Sequence, residues 1–212
     1  MSGGSGGGLD GGWARRWIEA VAEGVAARKA ELTALDRAIG DGDHGENLDR
    51  GFQAVLGKLD GLDADATPGA VLKLVATTLI STVGGAAGPL YGTAFLKASM
   101  AAGDRASLDA AALVEVLTAA RDGIVARGKA EPGDKTMVDA WTPAVTAAAA
   151  AGEDVEVVLD AAASAAEAGA AATEPLIAHK GRASYLGERA QGHRDPGSES
   201  TALILRAAAV AA

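Results

Sequence analysis

Cysteine is absent from all 212 residues. That removes disulfides, thiolate metal sites and Cys nucleophiles from consideration, and it is compatible with a cytoplasmic setting. Positive charge is scarce: 19 Lys and Arg face 28 Asp and Glu, a net charge of −9. This argues against a general nucleic-acid binder and against docking on an anionic membrane. No apolar run reaches the roughly 18 residues that span a bilayer. The N-terminus lacks a basic stretch followed by an apolar one, so no secretory leader is expected. Aromatic residues make up only 3% of a chain that is 49% hydrophobic. The apolar content is therefore mostly Ala, Val and Leu, which favours helices that approach closely.

What is present reads as helix nearly throughout. Residues 1–12 are Gly/Ser-rich and are expected to be a flexible tail. Residues 13–212 then form a single domain. Trp13, Trp17, Ile18, Val21, Val25, Leu32 and Leu35 recur at the spacing of one helix face, as do Phe52, Val55, Leu56 and Leu59. Thr67-Pro68 is a cap followed by proline at the first helical position, opening a third helix through Val71, Leu72, Val75 and Leu79. A fourth is expected from Pro89 to about Ala101, and a fifth capped by Ser107. The sixth runs from near Thr136 to Ala151, bent at Pro143 unless it begins later. The seventh runs from Val155 toward Ala178, with Pro175 bending or breaking it. Ser198 or Ser200 is expected to cap the last. The count is eight helices and no credible strand: an all-α, antiparallel up-and-down bundle.

Four connections are richer than helix packing requires. The first, Leu35 to Asn47, carries Asp36, Asp41 and Asp43 among glycines. Clustered carboxylates repel unless a cation sits among them, and hard divalent cations take oxygen ligands, often with substrate phosphates completing the shell. Asp36 is expected to end the first helix. The next helix starts near Asn47, with free N–H groups for an anion, and His44 is expected to donate to a phosphate. The competing reading is an Asp/Gly turn with solvated acids. The EF-hand register is missing.

The second connection, Val83 to Thr93, places three glycines before a helix start. That can form a phosphate nest or simply permit close helix packing. The third, Arg127 to Met137, reads in isolation as a solvated Pro-Gly turn. The fourth, from Lys180 to Gly197, is the longest stretch expected to be non-helical. It concentrates Lys180, Arg182, Arg189 and Arg194 in an acidic chain. Its His193 is equally a turn residue or a direct participant. Carboxylates in one loop and cations in another suit metal–phosphate chemistry.

Together these segments resemble the nucleotide-binding L subunit of dihydroxyacetone kinase. The resemblance rests on Leu35-Asp36…Ile39-Gly40-Asp41-Gly42-Asp43-His44-Gly45-Glu46-Asn47, Gly84-Gly85-Ala86-Ala87-Gly88-Pro89-Leu90, Gly133-Asp134-Lys135-Thr136-Met137, Lys180 through Arg189, and Gly192-His193-Arg194-Asp195-Pro196-Gly197, all in order. It implies an eight-helix barrel with ADP or ATP at its rim. By position it implies that Asp36, Asp41 and Asp43 hold two Mg²⁺ ions and that Arg182 acts with them in catalysis. His44, Gly45 and Asn47, then Gly85, Ala86, Ala87 and Gly88, match phosphate-side contacts. Gly128, Met137, Arg182, Asp195, Pro196 and Gly197 match further nucleotide contacts. Ala87 stands where the family usually has Ser, and His179 where it usually has Arg.

The resemblance further implies a separate K subunit that holds dihydroxyacetone covalently. It also implies either exchangeable ATP, or a trapped ADP recharged by the phosphohistidine of a phosphotransferase-system M subunit. A chain starting at Met1 favours the second, whereas a linker remnant at the Gly-rich start would favour the first. Two other readings stay open: a nucleotide-loaded regulatory module without turnover, and a related acyl-phosphate kinase. The latter usually has Thr where this chain has His44.

Overall fold

The computed structural model describes residues 8–212. Eight α-helices follow one another: α1 (Gly11–Ile39), α2 (His44–Leu59), α3 (Pro68–Thr82), α4 (Ala87–Ala102), α5 (Ala110–Gly128), α6 (Val138–Ala150), α7 (Val155–Ala172) and α8 (Pro196–Val210). Each packs on its sequence neighbours, and α8 returns to α1, closing the ring. The expected all-α bundle is therefore observed. None of the helices among the described residues is long and apolar enough to cross a membrane.

Several boundaries differ from the expectation. Met1–Gly7 of the expected tail lie outside the described residues. Residues 9–12, however, are structured: Asp10 caps α1 by accepting from the Trp13 N–H at 2.8 Å. Leu9 and Asp10 also pair antiparallel with Leu108 and Ser107, a two-residue strand pair where none was expected. Ser107 is thus a pairing residue, and the cap of α5 is Asp109. The α8 cap is Asp195, with Pro196 at the first helical position; neither Ser198 nor Ser200 serves. Helix α6 starts at Val138 and runs through Pro143, whose ring packs where α7 comes close at Gly169. Helix α7 stops at Ala172, before Pro175. The long fourth connection contains a 3-10 segment, η1 (Arg182–Ala190).

The core is built from small residues around a few large ones. Trp13 and Trp17 stack with ring centroids 5.1 Å apart, Trp17 lies 5.8 Å from Phe95, and Phe95 meets Phe52 edge-on at 6.5 Å. The indole N–H groups of Trp13 and Trp17 donate to the carbonyls of Ala208 and Ile204, at 3.1 and 2.8 Å. One aromatic cluster thus joins α1, α2, α4 and α8, and ties the first helix to the last. Small residues permit the close approaches. A Cβ on Gly51 would sit 2.2 Å from a Val83 methyl.

The up-and-down order sorts the connections. Loops α1–α2, α3–α4, α5–α6 and α7–α8 share one end of the ring, and the other three share the opposite end. The four chemically rich connections are those four alternate loops.

Candidate functional site

The α1–α2 turn is built around Asp36. The sequence reading has this residue ending α1, but α1 continues to Ile39, and Asp36 is buried in its last turn. Its Oδ2 accepts from the backbone N–H of Asp43 at 2.8 Å and of His44 at 3.1 Å, so it caps the start of α2 from a neighbouring helix. Helix α2 correspondingly begins at His44, three residues before the expected start. Gly40 is required by space, since a Cβ there would fall 2.0 Å from Asp36 Oδ1. Gly42 is required by conformation, with φ +76°. The result brings oxygens of Asp36, Asp41 and Asp43 within 4.8 Å of one another.

Three converging carboxylates, two of them exposed, form an all-oxygen donor set that suits a hard divalent cation. The neighbouring cation is Arg182, whose Nη2 lies 2.9 Å from Asp41 Oδ2. One guanidinium against three acids leaves the cluster under-neutralised.

Facing the carboxylates is the α3–α4 loop, Val83 to Ala86. Gly84, Gly85 (φ +66°), Ala86 and Ala87 line the cleft. The α4 N-cap residue, Ala86, makes no side-chain capping bond. The first N–H groups of α4 therefore have no side-chain cap, the property that makes a helix start an anion site. Gly88 is packed instead: a Cβ there would meet the Val83 carbonyl oxygen at 2.1 Å. Gly45 behaves likewise against the Lys29 carbonyl oxygen, at 2.2 Å. These two sequence-selected glycines serve helix contact and do not line the cleft.

The remaining walls come from Lys135 to Met137, Lys180 to Ala183, and Asp195 to Gly197. Beyond them the cleft continues into an apolar recess bordered by Leu90, Ile124, Arg127, Gly128, Ala130 and Met137. The fold thus unites Asp36, Asp41, Asp43, His44, Asn47, Gly85, Ala86, Ala87, Met137, Arg182, Asp195, Pro196 and Gly197 in one cleft, with Gly128 in the adjoining recess. His193 lies in a separate surface hollow beside Glu174 and Arg194.

Sequence reasoning missed how these walls are held together. His44 is buried, and its Nε2 lies 2.9 Å from Ser200 Oγ, which lies 2.6 Å from the Tyr91 hydroxyl. Tyr91 donates to the Gly197 carbonyl at 3.0 Å. This chain links α2, α4 and α8 and leaves Nδ1 as the other ring nitrogen of His44. Burial holds the His44 pKa below its ordinary value, so the ring is neutral near pH 7. Lys135 is also buried, its Nζ donating to the carbonyls of Thr173, Glu174 and Leu176 at 2.8, 3.2 and 3.1 Å. It fixes the end of α7 and the start of the fourth loop. A lysine inside a Pro-Gly turn reads as solvated in sequence; only its left-handed backbone, φ +60°, and the partners 38 or more residues away reveal the role.

Asp195 is buried, and desolvation pushes its pKa to about 7, while the Ser198 N–H at 2.7 Å favours the charged form. A raised folded-state pKa means that ionisation opposes folding. That stability is fully present below the ordinary carboxylate range and is lost as pH rises toward 7. Asp195→Asn keeps a capping oxygen and removes the titration. Relative to wild type, this variant should gain about 1 kcal/mol or more in unfolding free energy between pH 4 and pH 8. Parallel denaturation curves across that range would refute the assignment.

Known proteins resemble this chain along most of its length. The DAK2 domain family matches residues 38–210. The chain is 46% identical over 199 residues to the PEP-dependent dihydroxyacetone kinase, ADP-binding subunit DhaL, of Escherichia coli K12, covering 92% of this chain and 94% of that one. It is 41% identical to the PTS-dependent dihydroxyacetone kinase, ADP-binding subunit DhaL, of Lactococcus lactis, covering 89% and 91%. Among solved structures, the dihydroxyacetone kinase from C. freundii in complex with AMP-PNP and Mg²⁺ aligns with TM-score 0.70 at 27% identity, covering 92% of this chain and 33% of that one.

Proposed function

The chain belongs to the DAK2 domain family, and from that premise we propose that it is the nucleotide-carrying phosphoryl-transfer subunit of a dihydroxyacetone kinase. The observation that carries this reading is the pairing of three convergent carboxylates with an uncapped helix start across one cleft, continuous with an apolar recess. The relatives named as ADP-binding subunits match this chain over nearly their full length, which supports the same role.

In this reading Asp36, Asp41 and Asp43 hold Mg²⁺, two ions by family resemblance. Bound there, the metal neutralises charge on the phosphate oxygens. The N–H groups of Gly85, Ala86 and Ala87 and of the first turn of α4 orient phosphates from the opposite wall. Backbone N–H does this work at Ala87, which has no hydroxyl. The recess beside Gly128 and Met137 takes the nucleoside. Arg182, 67% exposed, releases Asp41 and turns to the transferring phosphoryl group. The cleft supplies position and charge; the residues that line it need provide no general base. The phosphoryl group passes in line to dihydroxyacetone held on a K subunit, in the cytoplasm, and a phosphotransferase-system M subunit recharges the ADP.

Exchangeable ATP is the second reading. It is favoured by the C. freundii kinase, whose complex holds AMP-PNP, an ATP analogue, and of which this chain spans 33%. Protein purified without nucleotide, desalted, denatured and assayed by chromatography decides between them. Near-stoichiometric ADP is the expected result. An empty protein that binds MgATP would establish the exchangeable substrate, and one that binds neither would overturn the nucleotide reading.

A further inference from the structure

Six of the seven aromatic side chains are buried; the seventh, Tyr185, is 86% exposed. It does not sit on a loose segment. Ala183 and Ala190 of η1 form a second small core with Ile39 and Ala178, and Leu186 packs against it. The backbone beneath Tyr185 is thus pinned to the last turn of α1 while the ring stands in water.

The arginines sort in a related way. Arg28, Arg105, Arg121, Arg194 and Arg206 each lie 3.1 Å or less from a carboxylate. Arg15 and Arg16 donate to backbone carbonyls. Arg182 has Asp41. Among the described residues, Arg37, Arg127 and Arg189 make neither an ion pair nor a side-chain hydrogen bond, and all three lie at the cleft end of the ring. Arg37 is in the last turn of α1, Arg127 borders the recess, and Arg189 is in η1, whereas Arg50 donates to the Asn47 side chain and the Thr82 carbonyl. In a chain of charge −9, unmatched guanidiniums gathered on one rim complement an acidic surface. An exposed tyrosine in the same segment as Arg189, on a backbone held against the last turn of α1, is a suitable anchor, because its ring buries much area and loses little rotamer freedom.

We infer that η1, with Tyr185 as anchor and Arg37 and Arg189 as its charged flank, docks an acidic face of the protein that presents the phosphoryl acceptor. The inference rests on the proposed function, since that acceptor must reach the open mouth of the cleft. Neither Tyr185, Arg37 nor Arg189 lines the cleft.

The test uses the full chain and the cognate dihydroxyacetone-holding subunit. Binding of that subunit and the transfer rate are each followed against its concentration for wild type, Tyr185→Ser and Arg37→Glu/Arg189→Glu. MgADP affinity is measured separately. Half-saturation should rise at least tenfold in both variants, with transfer at saturation and MgADP affinity unchanged. Added salt should weaken the wild-type complex and leave the double variant nearly unaffected. Unchanged half-saturation in the variants would overturn the docking surface while leaving the function intact. Failure of the wild-type chain to bind the subunit at all would overturn both.

Discussion

Asp41→Asn should weaken magnesium-dependent ADP binding at least 100-fold, about 2.7 kcal/mol, and leave the bundle folded. The two effects separate because of where Asp41 sits. Its side chain is 35% exposed and its one ion pair is with Arg182, itself 67% exposed, so the pair contributes little to stability. Its other role is as one of three convergent oxygen donors. An amide keeps the shape but supplies no charge to a hard cation. Asp36→Asn would be a poorer test, because Asp36 also caps α2, and its loss confounds binding with folding. Calorimetric titration with ADP, with and without magnesium, and a thermal melt of the same samples check the result. Unchanged affinity would remove Asp41 from the metal site.

Trp17→Ala should show the converse pattern, a large loss of stability from a residue outside the cleft. The side chain is 4% exposed, stacks on Trp13 and tilts against Phe95. Truncating a buried tryptophan costs about 3–5 kcal/mol. The Ile204 carbonyl, midway along α8, also loses the indole donor that ties it to α1. A melting temperature lower by roughly 10 °C is expected for a chain of this size. A change of under about 1 kcal/mol would mean that the closure of α1 on α8 does not depend on this ring.

Much of the arrangement was legible in the sequence because it is local. Apolar spacing marks the helices, and Thr67-Pro68 marks the start of α3 where it is observed. Where boundaries were missed, a stronger local competitor was present. Asp109 displaces Ser107 as a cap because Ser107 is paired with Asp10 across the far end of the ring. Asp195 displaces the later serines because a carboxylate directly before a proline at the first helical position caps better than a serine inside the turn. The glycines show the limit of composition. Gly85 and Gly88 stand three residues apart in one motif, yet one lines the cleft and the other packs under Val83.

The amino-acid sequence by itself determined the helical class, the acidic charge, the three carboxylates and the placing of the unusual loops at every second connection. An up-and-down ring puts alternate loops at one end, so that order already implies one shared site. Only the tertiary structure decided which atoms meet. Asp36 reaches forward to the start of the next helix. His44, Ser200 and Tyr91 form one buried chain across residues 156 and 109 positions apart. Lys135 leaves solvent for the carbonyls at the end of α7. These contacts depend on how closely the helices approach and in what rotation. Packing of the whole ring sets both, and no short stretch of sequence records them.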